Sequence, residues 1–241
     1  MKLPKTISPC PIQEAVAEVQ FESSLPADAV FGVAYQALKE SFPNSEPLPI
    51  LSLPADLRNS AKDLKFQPHY RLLNETTTVL VGPRVISVGT RREYPGWAAH
   101  SRRIRETLAL LHGTGIVAQP LRLGLRYIRF FALDIYPKLN LTISVDGTSL
   151  VGDETFLKTV LAGEGCRCLL QVGKGVALLT NPGQTGSVVD IDSFTTATNG
   201  EFLSVLAQFL EEAHQAQKEL FFRLLKPEFL ATLNPVYDDA N

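Results

Sequence analysis

The sequence contains few of the residues that mark common active sites or covalent cross-links. Among its 241 residues there are three cysteines, four histidines, one methionine and one tryptophan. Cys10, Cys166 and Cys168 are too few for a disulfide framework, which favours a reducing, cytoplasmic location. The C-x-C pair has no second cysteine pair at zinc-finger spacing, so we interpret both thiols as ordinary strand residues.

Long apolar runs and a strong net charge are also missing. No stretch approaches the ~18 uninterrupted apolar residues of a membrane-spanning helix, so we expect no membrane partner. The proline-rich start, MKLPKTISPCPIQEA, lacks the apolar core of an ordinary secretory signal. The net charge of −2 excludes a global field that would attract nucleic acid, although a local basic surface stays open.

Standard catalytic motifs are not found either. The chain has no G-x-S-x-G, P-loop or G-x-G-x-x-G pattern, and its histidines show neither H-E-x-x-H nor H-x-H spacing. Glu211 and His214 are three residues apart on a predicted helix, as in di-metal carboxylate bundles, but no second carboxylate helix accompanies them. We therefore assign no catalytic residue, metal or cofactor, and we favour a non-enzymatic protein.

The first half of the chain alternates between strand and helix patterns. The residues EAVAEVQF at 14–21 predict a strand with one apolar face, and residues 26–43 carry apolar side chains at helical spacing. Three short strands, a helix over 97–112 and a long strand over 121–133 follow. This β-α-β-β-α-β order predicts a ferredoxin-like sandwich. The proline-rich segment 43–68, with a short strand near 50–53, is expected to be a surface loop.

The second half predicts short strands punctuated by glycines. We expect strands at 139–145, 155–161, 166–172, 176–179 and 187–194, with hairpin turns at 163–165 and 173–175, which together form an antiparallel β-meander. A long helix follows from Glu201, capped by Asn199 or Gly200. The predicted fold class is therefore α+β. A ferredoxin-like half, residues 1–135, packs on a meander half with a long C-terminal helix, residues 136–241, as one compact unit.

Charged residues on the first and last strands of the predicted sandwich form the main candidate site. Glu14 and Glu18 project from one strand face, and Arg122 and Arg126 have the same spacing on the other strand. In a ferredoxin-like sheet these strands are antiparallel neighbours, so two carboxylates can meet two guanidiniums, and we expect Glu18 to pair with Arg126. The arrangement is either a charged floor for a polar ligand or partner peptide, or a structural salt-bridge ladder. An atypical enzyme using the carboxylates as acid and base is an alternative.

Two aromatic residues stand where the chain enters the second long helix. Tyr94 and Trp97 can stack on a ligand or anchor a partner, or they can simply pack against the first helical turns.

Arginines cluster on that helix, its approach and the long strand, which leaves a nucleic-acid-binding surface as another alternative. The signature of RNA-recognition modules is missing, and a solvated helix face is the simpler explanation. The residues concerned are Arg91, Arg92, Arg102, Arg103, Arg105, Arg122, Arg126 and Arg129.

The opening segment PIQEAVAEVQF, residues 11–21, resembles the start of a sporadically distributed, uncharacterised prokaryotic family. Members of that family share the pattern P-[IL]-x-E-A-[VI]-x-E-[VI]-x-F. The residues YPGW at 94–97, RLGLRYI at 122–128 and the last helix with Leu210, His214 and Phe221 are similar as well. The resemblance implies no activity, but it singles out Glu14, Glu18, Arg122, Arg126 and Trp97 as more than incidental surface.

These features favour a binding or interaction protein with a protein partner or a homo-oligomeric state. An accessory subunit of a defence or toxin–antitoxin system is one form of this hypothesis, motivated by the sporadic family and the long amphipathic last helix. The candidate ligand or partner residues are Glu14, Glu18, Tyr94, Trp97, Arg122, Arg126 and His214.

Overall fold

A computed structural model describes residues 2–91, 93–163, 165–178 and 181–237. The strands are β1 (Ile12–Glu22), β2 (Asn44–Pro47), β3 (Tyr70–Leu73), β4 (Thr77–Gly82), β5 (Val85–Thr90), β6 (Gln119–Phe131), β7 (Ser144–Val145), β8 (Thr148–Ser149), β9 (Phe156–Ala162), β10 (Arg167–Leu178) and β11 (Asn181–Thr195). The helices are α1 (Ala27–Leu38), α2 (Ala55–Ser60), α3 (Trp97–His112), α4 (Phe202–Leu224) and α5 (Pro227–Ala231). Short 3-10 helices lie at Pro49–Ser52 and Tyr136–Lys138.

The protein is a mixed α and β fold built on a large antiparallel sheet. Within the described ranges this sheet has nine strands in the order β2-β3-β4-β5-β1-β6-β11-β10-β9, and β7 and β8 form a separate hairpin. The chain divides into two compact units. We call residues 14–125 and 194–211 the amino-terminal unit, and residues 1–13, 126–193 and 212–241 the carboxy-terminal unit.

In the amino-terminal unit, β1 shows the predicted alternation. Ala15, Ala17, Val19 and Phe21 are buried, while the side chains between them are at least partly exposed. Strand β1 pairs antiparallel with β5, and β5 pairs with β4. Helices α1 and α3 contribute the rest of the core, because each has apolar residues at helical spacing on one face. The long helices of this unit therefore cover one face of its strands.

Helix α4 begins one residue after the predicted start, and the predicted cap is wrong. The Glu201 carboxylate accepts hydrogen bonds from the backbone N–H groups of Leu203 at 3.1 Å and Ser204 at 2.8 Å. These donors belong to the first turn, which has no intrahelical acceptors, so a side-chain oxygen satisfies them. Glu201 takes the role that we had expected of Asn199 or Gly200.

In the carboxy-terminal unit, β9, β10 and β11 follow one another along the sheet, as predicted for a meander. The expected hairpin at residues 173–175 is wrong, because β10 runs without interruption through both glycines. Gly173 lies opposite Phe156 of β9, and a Cβ there would meet the Phe156 ring at 3.3 Å. This glycine makes room for a neighbouring ring instead of reversing the chain.

Two further predictions also need correction, one of a strand and one of a loop. The expected strand at 139–145 is reduced to the two residues of β7, because Asn140 binds the end of α4 through its amide, donating to the carbonyl oxygens of Arg223 at 3.1 Å and Leu225 at 3.0 Å. The segment 43–68 is not a simple loop, since it contains β2, a 3-10 turn in place of the strand expected near 50–53, and α2.

Candidate functional site

A pocket of about 300 Å³ lies on the uncovered strand face of the amino-terminal unit. Its lining residues lie on β1 to β5, apart from Arg91, which directly follows β5. The floor is apolar and consists of Val16, Leu73, Leu80 and Gly89. Hydroxyl groups line its walls: Thr78, Ser87 and Thr90. The volume is at the lower end of the range for small-molecule sites.

Gly89 keeps this floor open. A Cβ added at this position would meet the Val16 Cγ2 atom at 3.2 Å and the Ala15 carbonyl oxygen at 3.5 Å. Any side chain at residue 89 would also project into the pocket, because β5 directs residue 89 to the same face as Ser87. The glycine therefore contributes to the depth of the pocket.

Charges of both signs surround the pocket. Glu46 and Arg71 form a loose ion pair, 3.6 Å between Oε2 and Nη1, and both side chains are about half exposed at 53% and 44%. Arg91 is exposed and donates from Nη1 to the Asn74 carbonyl oxygen at 2.8 Å. Glu14 is exposed and makes no hydrogen bond or ion pair with any residue in the described part of the chain. Its carboxylate is thus available to a ligand.

Glu18 lies on the same strand face as Glu14 but is held by several partners. Its Oε1 atom is 3.3 Å from Nη1 of Arg122 and accepts a 2.9 Å hydrogen bond from the Gln20 amide. Ser87, which lines the pocket, donates to Oε2 at 3.5 Å. Arg122 also lies over the Phe194 ring, 4.8 Å from its centroid. The structure therefore brings Glu18 together with Arg122, so the expected pairing of Glu18 with Arg126 is wrong. Glu14 meets neither arginine.

Arg126 has a partner that the sequence reasoning missed. Its guanidinium binds Asp190 of β11 through two hydrogen bonds, Nε to Oδ1 at 2.9 Å and Nη2 to Oδ2 at 2.6 Å. Gln171 donates to the same Oδ2 atom at 2.8 Å. The Asp190 side chain is only 6% exposed. In the sequence, Asp190 stands between Val189 and Ile191. This apolar setting could have indicated that Asp190 is buried and therefore needs a cation or several hydrogen-bond donors.

The aromatic residues at the entry to α3 lie at helix contacts within the amino-terminal unit. The Trp97 indole donates from Nε1 to the Glu211 carboxylate at 3.0 Å, and Arg105 donates to the other oxygen of that carboxylate. Tyr94 contacts the His100 ring edge-on, with 5.9 Å between ring centroids. Gly96 precedes the helix with a φ of +89°, a conformation that side chains disfavour. These contacts favour the packing interpretation of Tyr94 and Trp97.

His214 lies in the carboxy-terminal unit, on α4. Its Nδ1 atom is 3.5 Å from the Tyr127 hydroxyl, and its pKa is lowered to about 4. Burial is the main cause of the lowered pKa, and the nearby positive charges of Lys218 and Arg129 add to it. The imidazole is therefore neutral at physiological pH. Glu211, three residues earlier, belongs to the Trp97 contact described above.

Two buried thiols lie at the start of β10. Cys168 Sγ is 3.3 Å from the Ser193 hydroxyl, and a hydrogen bond from Cys166 lowers the pKa of Cys168 to about 7. The same hydrogen bond raises the pKa of Cys166. Both side chains face the interior, as alternation on a strand predicts.

The predicted basic surface is only partly present. Arg129 is buried, donates to the Gln217 side-chain oxygen at 2.9 Å and lies over the Phe221 ring at 4.2 Å. Arg105 is bound to Glu211, whereas Arg102 is exposed. Arg92, part of the predicted cluster, lies outside the described residues.

No family model and no curated protein matches the chain. The resemblance of residues 11–21 to a prokaryotic family therefore stays a prediction.

Among the described residues, no cluster of three or more His, Cys, Asp or Glu side chains could hold a metal ion. In the same residues no helix is both long enough and apolar enough to cross a membrane.

Proposed function

We propose that the protein is a non-enzymatic binding protein whose ligand site is the pocket on the uncovered face of the amino-terminal unit. The observation that carries this proposal is Glu14, an exposed carboxylate at a pocket of about 300 Å³ that makes no bond with another described residue. Beside the apolar floor of the pocket, this carboxylate can accept hydrogen bonds from a cationic group of a ligand.

The opposite charges at the pocket suggest a ligand that carries both signs. Glu14 offers a hydrogen-bond acceptor for an ammonium group, and Arg71 and Arg91 offer donors for a carboxylate or phosphate. The apolar floor of Val16, Leu73 and Leu80 accommodates a hydrocarbon body between these ends. A dipeptide or an amino-acid-like molecule fits this description, and the site needs no catalytic group to bind it.

The proposal is tested with glycyl-leucine as the probe, in isothermal titration calorimetry and thermal unfolding at millimolar concentration. We expect binding to raise the unfolding temperature, because a ligand that binds only the folded state stabilises it. N-acetylation or C-terminal amidation of the dipeptide removes one charge and should abolish the effect. Glu14→Gln and Arg71→Gln should abolish it too.

Two exposed positions outside the pocket provide controls, Glu40→Gln and Arg102→Gln, which should bind like the unchanged protein. If none of the dipeptide forms binds, or if the pocket variants and the control variants respond alike, the pocket is not the ligand site.

We also infer a ferredoxin-like arrangement for the amino-terminal unit. The neighbouring strands β4, β5, β1 and β6, together with α1 and α3, have the connectivity β-α-β-β-α-β that defines this motif. Strands β2 and β3 extend the sheet beyond β4.

A role as an accessory subunit of a defence or toxin–antitoxin system stays a prediction. Co-purification of the chain with the product of a neighbouring gene is its test.

The nucleic-acid alternative has less support, because Arg129 is buried and acids alternate with arginines around the pocket. Filter binding at low and moderate salt distinguishes it, since phosphate contacts weaken steeply with salt.

A further inference from the structure

The two end strands of the sheet differ in how they protect their free edges. Strand β2 has four exposed residues, NSEP, and includes both a charge and a proline. Strand β9 has seven residues, FLKTVLA, with a single charge and no proline. Proteins commonly blunt exposed strand edges with short length, charge or proline, because an open edge pairs with other chains. Strand β9 carries none of these protections apart from Lys158.

The backbone pairing identifies which groups of β9 face the free edge. Lys174 donates its N–H to the Thr155 carbonyl at 2.9 Å, and Gly163 donates to the Cys166 carbonyl at 3.0 Å. In an antiparallel ladder such hydrogen-bonded positions recur every second residue, so the odd-numbered residues of β9 bond to β10. The backbone groups of Phe156, Lys158, Val160 and Ala162 therefore point outward. No residue that the structure describes forms a hydrogen bond with them.

Apolar side chains accompany this open edge. Phe156 is 67% exposed, Val160 43% and Leu161 37%. Burying such side chains is worth about 25 cal/mol per Å², so a partner strand would gain both hydrogen bonds and apolar contact here.

We propose that β9 pairs antiparallel with β9 of a second copy of this chain, about a two-fold axis at Thr159. In this register the outward-facing residues form the hydrogen-bonded pairs, with Lys158 opposite Val160 of the second copy and Phe156 opposite Ala162. On the other face Leu157 lies opposite Leu161 of the second copy. In each of these pairs a large side chain lies opposite a smaller or an aliphatic one, and no two like charges lie directly opposite each other.

The sequence of β9 therefore complements itself in the antiparallel direction, which is the reason to prefer a second copy over an unrelated partner. A two-fold pairing is isologous: both copies use the same edge, so the edge of β9 is fully occupied once a second chain has bound. The protected edge at β2 prevents further growth, so the product is a dimer and not a fibre.

Matched substitutions of Val160 test the register. Val160→Lys places an ammonium group opposite Lys158 of the second copy in both symmetry-related pairs, whereas Val160→Glu places a carboxylate there. We expect analytical ultracentrifugation of the unchanged full chain to give the mass of two chains at micromolar concentration. Val160→Lys should raise the dimer dissociation constant roughly 30-fold or more, and Val160→Glu should stay within about threefold of the unchanged protein.

Val160→Pro provides an independent probe, because it removes an outward N–H that β10 does not use. This variant should sediment as a monomer with an unchanged far-ultraviolet circular dichroism spectrum. Hydrogen exchange should show concentration-dependent protection of the amides of Phe156, Lys158, Val160 and Ala162.

Three results would overturn the proposal. They are a monomeric unchanged protein at all concentrations, a dimer that neither Val160→Lys nor Val160→Pro weakens, and a dimer that Val160→Lys and Val160→Glu weaken equally. Should the proline variant misfold, the comparison of lysine with glutamate decides by itself. Loss of dipeptide binding to the pocket does not bear on this test, because the pocket is lined by β1 to β5.

Discussion

Carboxylates and guanidiniums meet in both units of the protein, but the two units hold them differently. In the carboxy-terminal unit Asp190 is almost completely buried and accepts from Arg126 twice and from Gln171 once. Around the pocket of the amino-terminal unit, Glu46 and Arg71 are half exposed and 3.6 Å apart, and Glu14 is exposed. The same chemical groups thus serve structure in one unit and stay available for binding in the other, and the difference is one of burial and bond number.

The largest expected effect comes from breaking the buried pair. Asp190→Ala removes the acceptor of three hydrogen bonds and leaves Arg126 and Gln171 without it. Removing one partner of a buried ion pair costs about 3–5 kcal/mol, and we expect about 3 kcal/mol because Arg126 is partly exposed and can be hydrated. Urea unfolding measures the free energy, with Asp153→Ala at an exposed position as the control. A loss no larger than that of the control would show that the pair contributes little to stability.

The carboxy-terminal unit should also be sensitive to acid through His214. Its pKa is 6.5 when unfolded and about 4 when folded, so the unfolded chain binds more protons between these values. Stability is therefore fully present above pH 6.5 and is lost as the pH falls toward 4, by about 2 kcal/mol after allowance for partial exposure.

His214→Gln should flatten this part of the stability profile, measured by urea unfolding across the same pH range. His69 in the amino-terminal unit provides a comparison. Burial also lowers the pKa of His69, with Arg58 adding to the effect, so its pH dependence has the same sign. A profile that keeps its full slope in His214→Gln would assign the acid sensitivity to other groups.

The smallest effects are expected on the uncovered face of the amino-terminal unit, and they distinguish its two carboxylates. Glu18→Gln breaks a partly exposed pair with Arg122, at 32% and 20% exposure, and should cost at most about 1 kcal/mol. Glu14→Gln should change stability by less than about 0.5 kcal/mol. Thermal unfolding of both variants measures the difference. Equal and large losses would mean that Glu14 is structural, which would contradict a ligand site there.

Much of the secondary structure could be predicted from local patterns. The boundaries of α3 agree with the prediction, and β1, β6 and α4 differ from it by a few residues at most. Two of the errors, the 173–175 hairpin and the 43–68 loop, occur where glycine or proline is compatible with more than one structure. Gly173 sits inside a strand because a ring from β9 packs over it, and a glycine that makes such space looks the same in sequence as one in a turn.

The candidate site was predictable in part, for a similar reason. Alternation on β1 and β6 assigned Glu18 and Arg122 to faces from which they could meet, and they do. Asp190 and Glu211 were missed as partners because the predicted topology placed β1 beside β6 but did not place β11 beside β6 or α4 beside Trp97 of α3. Local spacing carries no information about such long-range neighbours.

The sequence by itself determined which side chains share a face, because strand and helix periods are set by the backbone. Only the tertiary structure decided that Arg126 binds Asp190, that Arg129 is buried against Gln217 and Phe221, and that Glu14 stands at a pocket. The physical reason is that burial and pairing depend on which strands become neighbours, and chain topology sets these neighbours over distances that no local pattern encodes.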